Sequence, residues 1–162
     1  MSFIFLIPSY LNLQNQINMT ELLGLQLTQI IETFLIQFKS ISEDDWNKKP
    51  SIEKWSKKEV LGHLVDSAFT NMQRFVRIQH GDQTNLYYEQ DFWVKINDYQ
   101  NQELTSIITL WQSLNLQIAR VWKNTWDAEL QKTIPVKDEL PTLQFLMEDY
   151  IDHLNHHMKQ II

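Results

Sequence analysis

Three of the chain's five histidines fall within five positions near its end, in Tyr150-Ile-Asp-His153-Leu-Asn-His156-His157-Met. Neutral imidazole is the commonest protein metal ligand. On a helix, two residues four apart sit one above the other. At about 100° per residue, His153 and His157 lie about 40° apart. They run along one edge of an apolar stripe formed by Leu143, Leu146, Met147, Tyr150, Leu154, Met158 and Ile161. His156 is turned roughly another 60° toward solvent, away from that pair. An H-x-x-x-H pair supplies two ligands, whereas a site that keeps a position open for chemistry usually has three. The third must come from elsewhere in the chain.

His63 is the candidate. It begins a polar line of His63, Ser67, Asn71 and Arg74, spaced by four, four and three residues. The line borders the apolar face of Val60, Leu61, Leu64, Ala68, Met72 and Phe75, so His63 faces either a cleft between helices or solvent. His80, just before Gly81, reads as a helix-end residue suited to the negative end of the dipole. There is no cysteine, which removes disulfides, thiolate metal ligands and a cysteine nucleophile. No H-E-x-x-H glutamate accompanies the pair, so a protease-like general base is not written into it. Asp149, one turn before His153, and Asp66, near His63, are acceptors that could hold the outer ring nitrogens, and a backbone carbonyl would serve equally.

The elements that must position these histidines are helical. Three glycines and four prolines are too few to punctuate an all-β fold. The prolines, Pro8, Pro50, Pro135 and Pro141, also leave the long periodic stretches uninterrupted. Leu22, Leu23, Leu27, Ile30, Ile31, Phe34, Leu35 and Phe38 recur at three- and four-residue steps, predicting a first helix from Thr20 to about Ile41. Ser42 to Trp55 reads as a connection whose two tryptophans tuck against the bundle. Ser56 and Glu59 match a capping box that opens a second helix, which Gly81 stops. Gly81 to Asn101 is the longest irregular stretch, yet it holds Tyr87, Tyr88, Phe92 and Trp93, so it is expected to fold over something. A third helix is predicted from about Gln102 to Trp126 and a fourth from about Thr142 to Gln160. Four helices of this length pack best as an all-α bundle.

At 162 residues the chain is one domain's worth. Residues 1–18 read as an N-terminal extension, with 19–162 the bundle domain. The apolar run Phe3 to Ile7 lacks a basic leader and a cleavage site, and is too short to span a bilayer. No membrane association is therefore expected, and a cytoplasmic location is. Fourteen basic residues stand against 20 acidic ones, a net charge of −6 that argues against nucleic acid as a partner.

The string Lys54-Trp-Ser56-Lys-Lys-Glu59-Val-Leu-Gly62-His63-Leu-Val-Asp66-Ser resembles the helix-2 motif of the DinB-like superfamily. That superfamily includes YfiT-type metal-dependent hydrolases and bacillithiol S-transferases. The closing string Asp149 to Ile161 is similar to its last-helix motif, and the resemblance covers roughly Met19 to Ile162. It implies an up-down-down-up four-helix bundle in which His63, His153 and His157 bind one divalent ion. Such a neutral ligand set suits Zn, Ni, Fe or Mn.

The ion could lower the pKa of bound water or deprotonate a thiol. A thiol transferase has less need of the missing general base. The expected function is activation of a small, low-molecular-weight thiol for S-transfer to an electrophile, with Arg74, Tyr87 and Trp93 as candidates to shape the pocket. Metal-dependent hydrolysis is the alternative reading, and a non-catalytic, stress-related metal-binding bundle is a third. A small-molecule substrate and a homodimer complete the expectation.

Overall fold

The computed structural model describes residues 17–162. The apolar run Phe3 to Ile7 and most of the expected N-terminal extension lie outside the described residues. Six helices follow in order: α1 (Met19–Phe38), α2 (Glu43–Asn47), α3 (Lys57–His80), α4 (Gln90–Asn97), α5 (Leu104–Lys123) and α6 (Leu143–Ile161). Short 3-10 turns occupy Tyr99–Asn101 and Asp127–Glu129. Among the described residues there is no strand, only two isolated bridges, Thr133 with Thr142 and Val136 with Glu139. No helix among them is long and apolar enough to cross a membrane.

The four long helices are those the periodicity predicts, and the caps fix where they begin. Asn18 accepts the Glu21 amide ahead of α1, Ser56 and Glu59 form the capping box of α3, and Thr142 accepts the Phe145 amide ahead of α6. Gly81, at φ 81°, takes the left-handed conformation that ends α3. The two short helices lie within stretches expected to be irregular. Ser42 and three first-turn acids start α2, and the fully buried Trp46 ties it to the core. Five residues are too few to show a helical period.

α1 packs on α5, α5 on α3, α3 on α6, and α6 on α1. Helices α1 and α3 are therefore diagonal neighbours, as are α5 and α6. Thr20 donates to the Thr125 carbonyl, so the start of α1 meets the end of α5. Phe75, late in α3, packs on Trp122, late in α5, and on Tyr150, just before the middle of α6. The directions are up, down, down, up, and the consecutive helices α3 and α5 are parallel.

Parallel neighbours cannot be joined by a tight turn. Helix α3, with 24 residues, is about 36 Å long at 1.5 Å per residue, and the chain must travel back along it before α5 can begin. That return is the aromatic segment 82–101. Its far end is locked where Tyr99 meets Gly62: a Cβ at position 62 would stand 2.1 Å from the Tyr99 ring. The returning segment covers a side of α3 that would otherwise be wet, and every residue from Lys58 to Ala68 is buried.

Candidate metal centre

The first turns of α3 and the last three turns of α6 lie side by side. There the structure brings His63, His153 and His157 together, with one ring nitrogen from each lying within 4.8 Å of the others. Ring centroids are 5.3 Å apart for His63 and His153, 4.8 Å for His63 and His157, and 4.5 Å for His153 and His157. Nε2 of His63 faces Nε2 of His153 at 3.3 Å. Two nitrogens each about 2.0–2.1 Å from one ion at a tetrahedral angle stand roughly 3.3 Å apart. The same separation lets the rings share a hydrogen bond without an ion.

The solvated alternative for His63 fails, since the side chain is 1% exposed. A helical wheel counts only the residues of its own helix and could not show what covers it. Trp55 lies against the His63 ring at 5.1 Å between centroids, and Tyr88 at 6.4 Å. His156 is exposed and outside the group, 5.1 Å from His157 between ring centroids, and the exposed His80 ends α3 far along the helix.

Burial, and then the neighbouring imidazoles, hold the His63 ring far below the usual histidine range, at about 3. The same causes in the same order lower His153 to about 4. Burial also lowers His157, against an opposing hydrogen bond to Gln160. All three rings are neutral at pH 7, each with a lone pair to give, and such a donor set fits a divalent metal ion.

The other candidate residues fall in different places. Arg74 is buried, and its Nε and Nη2 donate to the Leu86 carbonyl while Nη1 donates to Asn71. Arg74 thus pins the returning segment just before Tyr88. Eleven residues from His63, it sits about 16 Å farther along the helix. Tyr87 is turned outward, 45% exposed, with the Lys137 ammonium over its ring. Tyr88, its neighbour, faces the histidines instead, as alternation along an extended segment requires. Trp93 backs Tyr88 at 5.1 Å and meets Phe69 at 6.5 Å.

Neither expected carboxylate is bonded to a histidine. Asp149 is exposed. Oδ1 of Asp66 accepts from the Tyr99 hydroxyl at 2.7 Å and from Asn97 at 2.9 Å. Sequence reasoning missed Gln160, whose Oε1 lies 3.4 Å from Nδ1 of His157. Its i+3 position on α6 was the available signal. It leaves the Nε2 lone pair of His157 free.

The motif around His63 now has a physical reading. Ser56 is buried, donates its amide to Glu59, and gives its hydroxyl to Gln100 at 2.6 Å. Glu59 also pairs with Lys49 at 2.7 Å. Gly62 lets Tyr99 approach, Asp66 holds the Tyr99 hydroxyl, and Trp55 covers His63. Each motif position fixes the start of α3 or the segment lying on it. Beside this centre a cleft of about 860 Å³ opens, with Trp55, His157 and Gln160 on its wall. Its rim carries Lys48, Lys54, Lys57, Asp45, Glu53 and Asp91.

A family model of the DinB superfamily matches residues 26–161. The chain belongs to the DinB superfamily. Among solved structures, this DinB chain is similar to YfiT from Bacillus subtilis, described as a probable metal-dependent hydrolase with an unusual four-helix bundle topology. The TM-score is 0.77 at 19% identity, over 87% of this chain and 83% of that one. It is also similar to a mycothiol-dependent maleylpyruvate isomerase, with a TM-score of 0.66 at 10% identity over 86% of this chain and 58% of that one. At these identities the likeness is one of fold. No curated protein matches the DinB chain significantly.

Proposed function

We propose that His63, His153 and His157 hold one divalent metal ion, and that the chain is an enzyme that activates a small thiol for transfer to an electrophile. The observation that carries this reading is the convergence of three imidazoles from α3 and α6, His63 buried and His153 and His157 half-buried, with His157 on the wall of a cleft. When bound there, the ion supplies positive charge that favours the thiolate over the thiol.

The chain's own residues do the rest. Gln160 holds the outer nitrogen of His157, and Trp55 with Tyr88 shields His63 from water. The charged rim of the cleft suits a small polar molecule. Among the described residues, the groups of metal-ligating type that converge are all histidines, with no carboxylate among them to act as a general base. A thiolate that attacks an electrophile needs none. The mycothiol dependence of the isomerase that shares this fold supports the same direction.

Hydrolysis is the second reading. It is favoured by Glu53 and Asp91, which line the cleft and could take a proton from water, and by the description of YfiT. Turnover of model electrophiles with a panel of low-molecular-weight thiols, after loading with Zn, Ni, Fe or Mn, separates the two. Transfer requires the thiol, and the thioether product contains it; hydrolysis proceeds without thiol. Loss of both activities in His63→Ala, His153→Ala and His157→Ala is expected. Turnover that survives in all three variants would remove the metal from the reaction.

A further inference from the structure

Two buried polar atoms are left without partners at the start of α3. Nε2 of His63 is committed to the histidine group, so Nδ1 is the nitrogen that remains, and it is buried and unpartnered. Oδ1 of Asp66 takes both the Tyr99 and Asn97 donors, so Oδ2 is the oxygen that remains, and it too is buried and unpartnered. The two side chains stand three residues apart on one helix, at positions whose Cβ atoms are about 5–6 Å apart. His63 is 1% exposed and Asp66 is 3% exposed, so neither orphaned atom is in open solvent. The other unpartnered buried atoms among the described residues belong to Gln37, Trp111 and Trp122. Only the His63 and Asp66 atoms place a donor and an acceptor on adjoining turns of a single helix.

We propose that Asp66 is the positioning residue of the centre: its Oδ2 accepts the Nδ1 proton of His63. A buried donor left unpaired costs free energy, as does a buried acceptor, and a bond between these two, which the structure does not show formed, would satisfy both. The link fixes His63 in the tautomer that carries its proton on Nδ1 and turns the Nε2 lone pair toward His153 and His157. A carboxylate behind a metal-binding imidazole orients the ring and raises its basicity. Asp66 then serves two structures with its two oxygens. Oδ1 anchors Tyr99 and the segment covering the site, while Oδ2 holds the ligand itself. The metal-affinity part of this inference rests on the function proposed above, whereas the tautomer does not.

The test compares the full-length chain with Asp66→Asn and Tyr99→Phe. Asn at position 66 can still accept from Tyr99 but presents an amide where Oδ2 stood. Zinc affinity, measured by competition with a chelator, is expected to fall about 10- to 100-fold in Asp66→Asn and to stay near wild type in Tyr99→Phe. Nitrogen-15 NMR of the metal-free wild-type chain should show His63 protonated on Nδ1, and Tyr99→Phe should keep that signature. A wild-type His63 protonated on Nε2 overturns the proposal, even if Asp66→Asn does not fold. Equal losses of zinc affinity in the two variants would also overturn it, by showing that Asp66 acts only through Tyr99. A wild-type chain that binds no zinc would defeat the proposed function, while the tautomer would still decide this one.

Discussion

Two clusters of three rings follow one another along the bundle, and they are built alike. In one, Phe75, Trp122 and Tyr150 meet edge to face, with centroids 5.2, 5.8 and 6.0 Å apart and planes crossing at 78°, 88° and 87°. In the other, His63, His153 and His157 meet with centroids 4.5–5.3 Å apart and planes crossing at 68–69°. Helices α3 and α6 contribute to both. In the first cluster the ring edges are carbon and hydrogen except at the Trp122 indole nitrogen, which is buried without a partner and has no lone pair to give, and at the Tyr150 hydroxyl, which donates to Asn115 at 2.7 Å. In the second cluster the edges are nitrogens, and their lone pairs share a single small volume. Nearly the same packing geometry thus yields core in one cluster and a candidate ligand set in the other, according to the atoms at the ring edges. The second cluster is expected to add little to stability, and that separates the two by experiment.

The largest contrast is expected from deleting one ring in each cluster. Trp122→Ala should cost roughly 3–5 kcal/mol in chemical denaturation, because a fully buried indole leaves a cavity. His153→Ala should cost about 1 kcal/mol, the ordinary effect of a single substitution. It should nonetheless lower metal affinity by more than about 100-fold, beyond what loss of an outer partner costs. A denaturation series paired with zinc titration reads both. Similar stability losses in the two variants would mean that the histidine cluster is ordinary core.

Gly62→Ala comes next. The added methyl meets the Tyr99 ring rather than a flexible side-chain end, so overpacking of about 1–3 kcal/mol is expected. A melting curve measures the loss, and faster amide hydrogen exchange at the start of α3 would locate it at the histidine cluster.

A smaller effect is tied to pH. Burial pushes the Asp66 carboxyl up to about 6, against the opposing pull of its Tyr99 and Asn97 donors. The folded chain therefore binds this proton more tightly than the unfolded chain does. The group's contribution is full below the ordinary carboxylate value and is lost as pH rises through about 6. The difference in denaturation midpoint between wild type and Asp66→Asn should change between pH 4 and 7 and be flat above that. The smallest effects are expected from His156→Ala and His80→Ala, which lie outside both clusters. Each should leave zinc content after dialysis at the wild-type level, and a loss in either would redraw the site.

The fourth helix was the most legible part of the chain. All seven residues of its predicted stripe, from Leu143 to Ile161, are buried, and the angular separation of His153 and His157 from His156 follows from helical pitch alone. The capping box and Gly81 likewise located the ends of α3. The aromatic segment was legible only as something that folds over a surface. Of its neighbouring tyrosines, Tyr87 was chosen as a pocket candidate and Tyr88 faces the histidines. That choice depends on the phase of an extended segment, which only its anchors at Arg74 and Asp66 set.

What the sequence determined by itself is local. Periodicity, caps and the scarcity of glycine specify four long helices, and an i,i+4 pair of histidines specifies two imidazoles on one edge of the last of them. These follow from backbone geometry within a few turns. The tertiary structure decided everything that joins distant segments. It made α3 and α5 parallel, so that the chain had to return along α3 and bury it. It placed position 63 beside positions 153 and 157, and it set Trp55 and Tyr88 against the His63 ring. The reason is physical: a helical wheel records how residues face on their own axis, whereas burial and convergence depend on which other elements the packed core holds against that face.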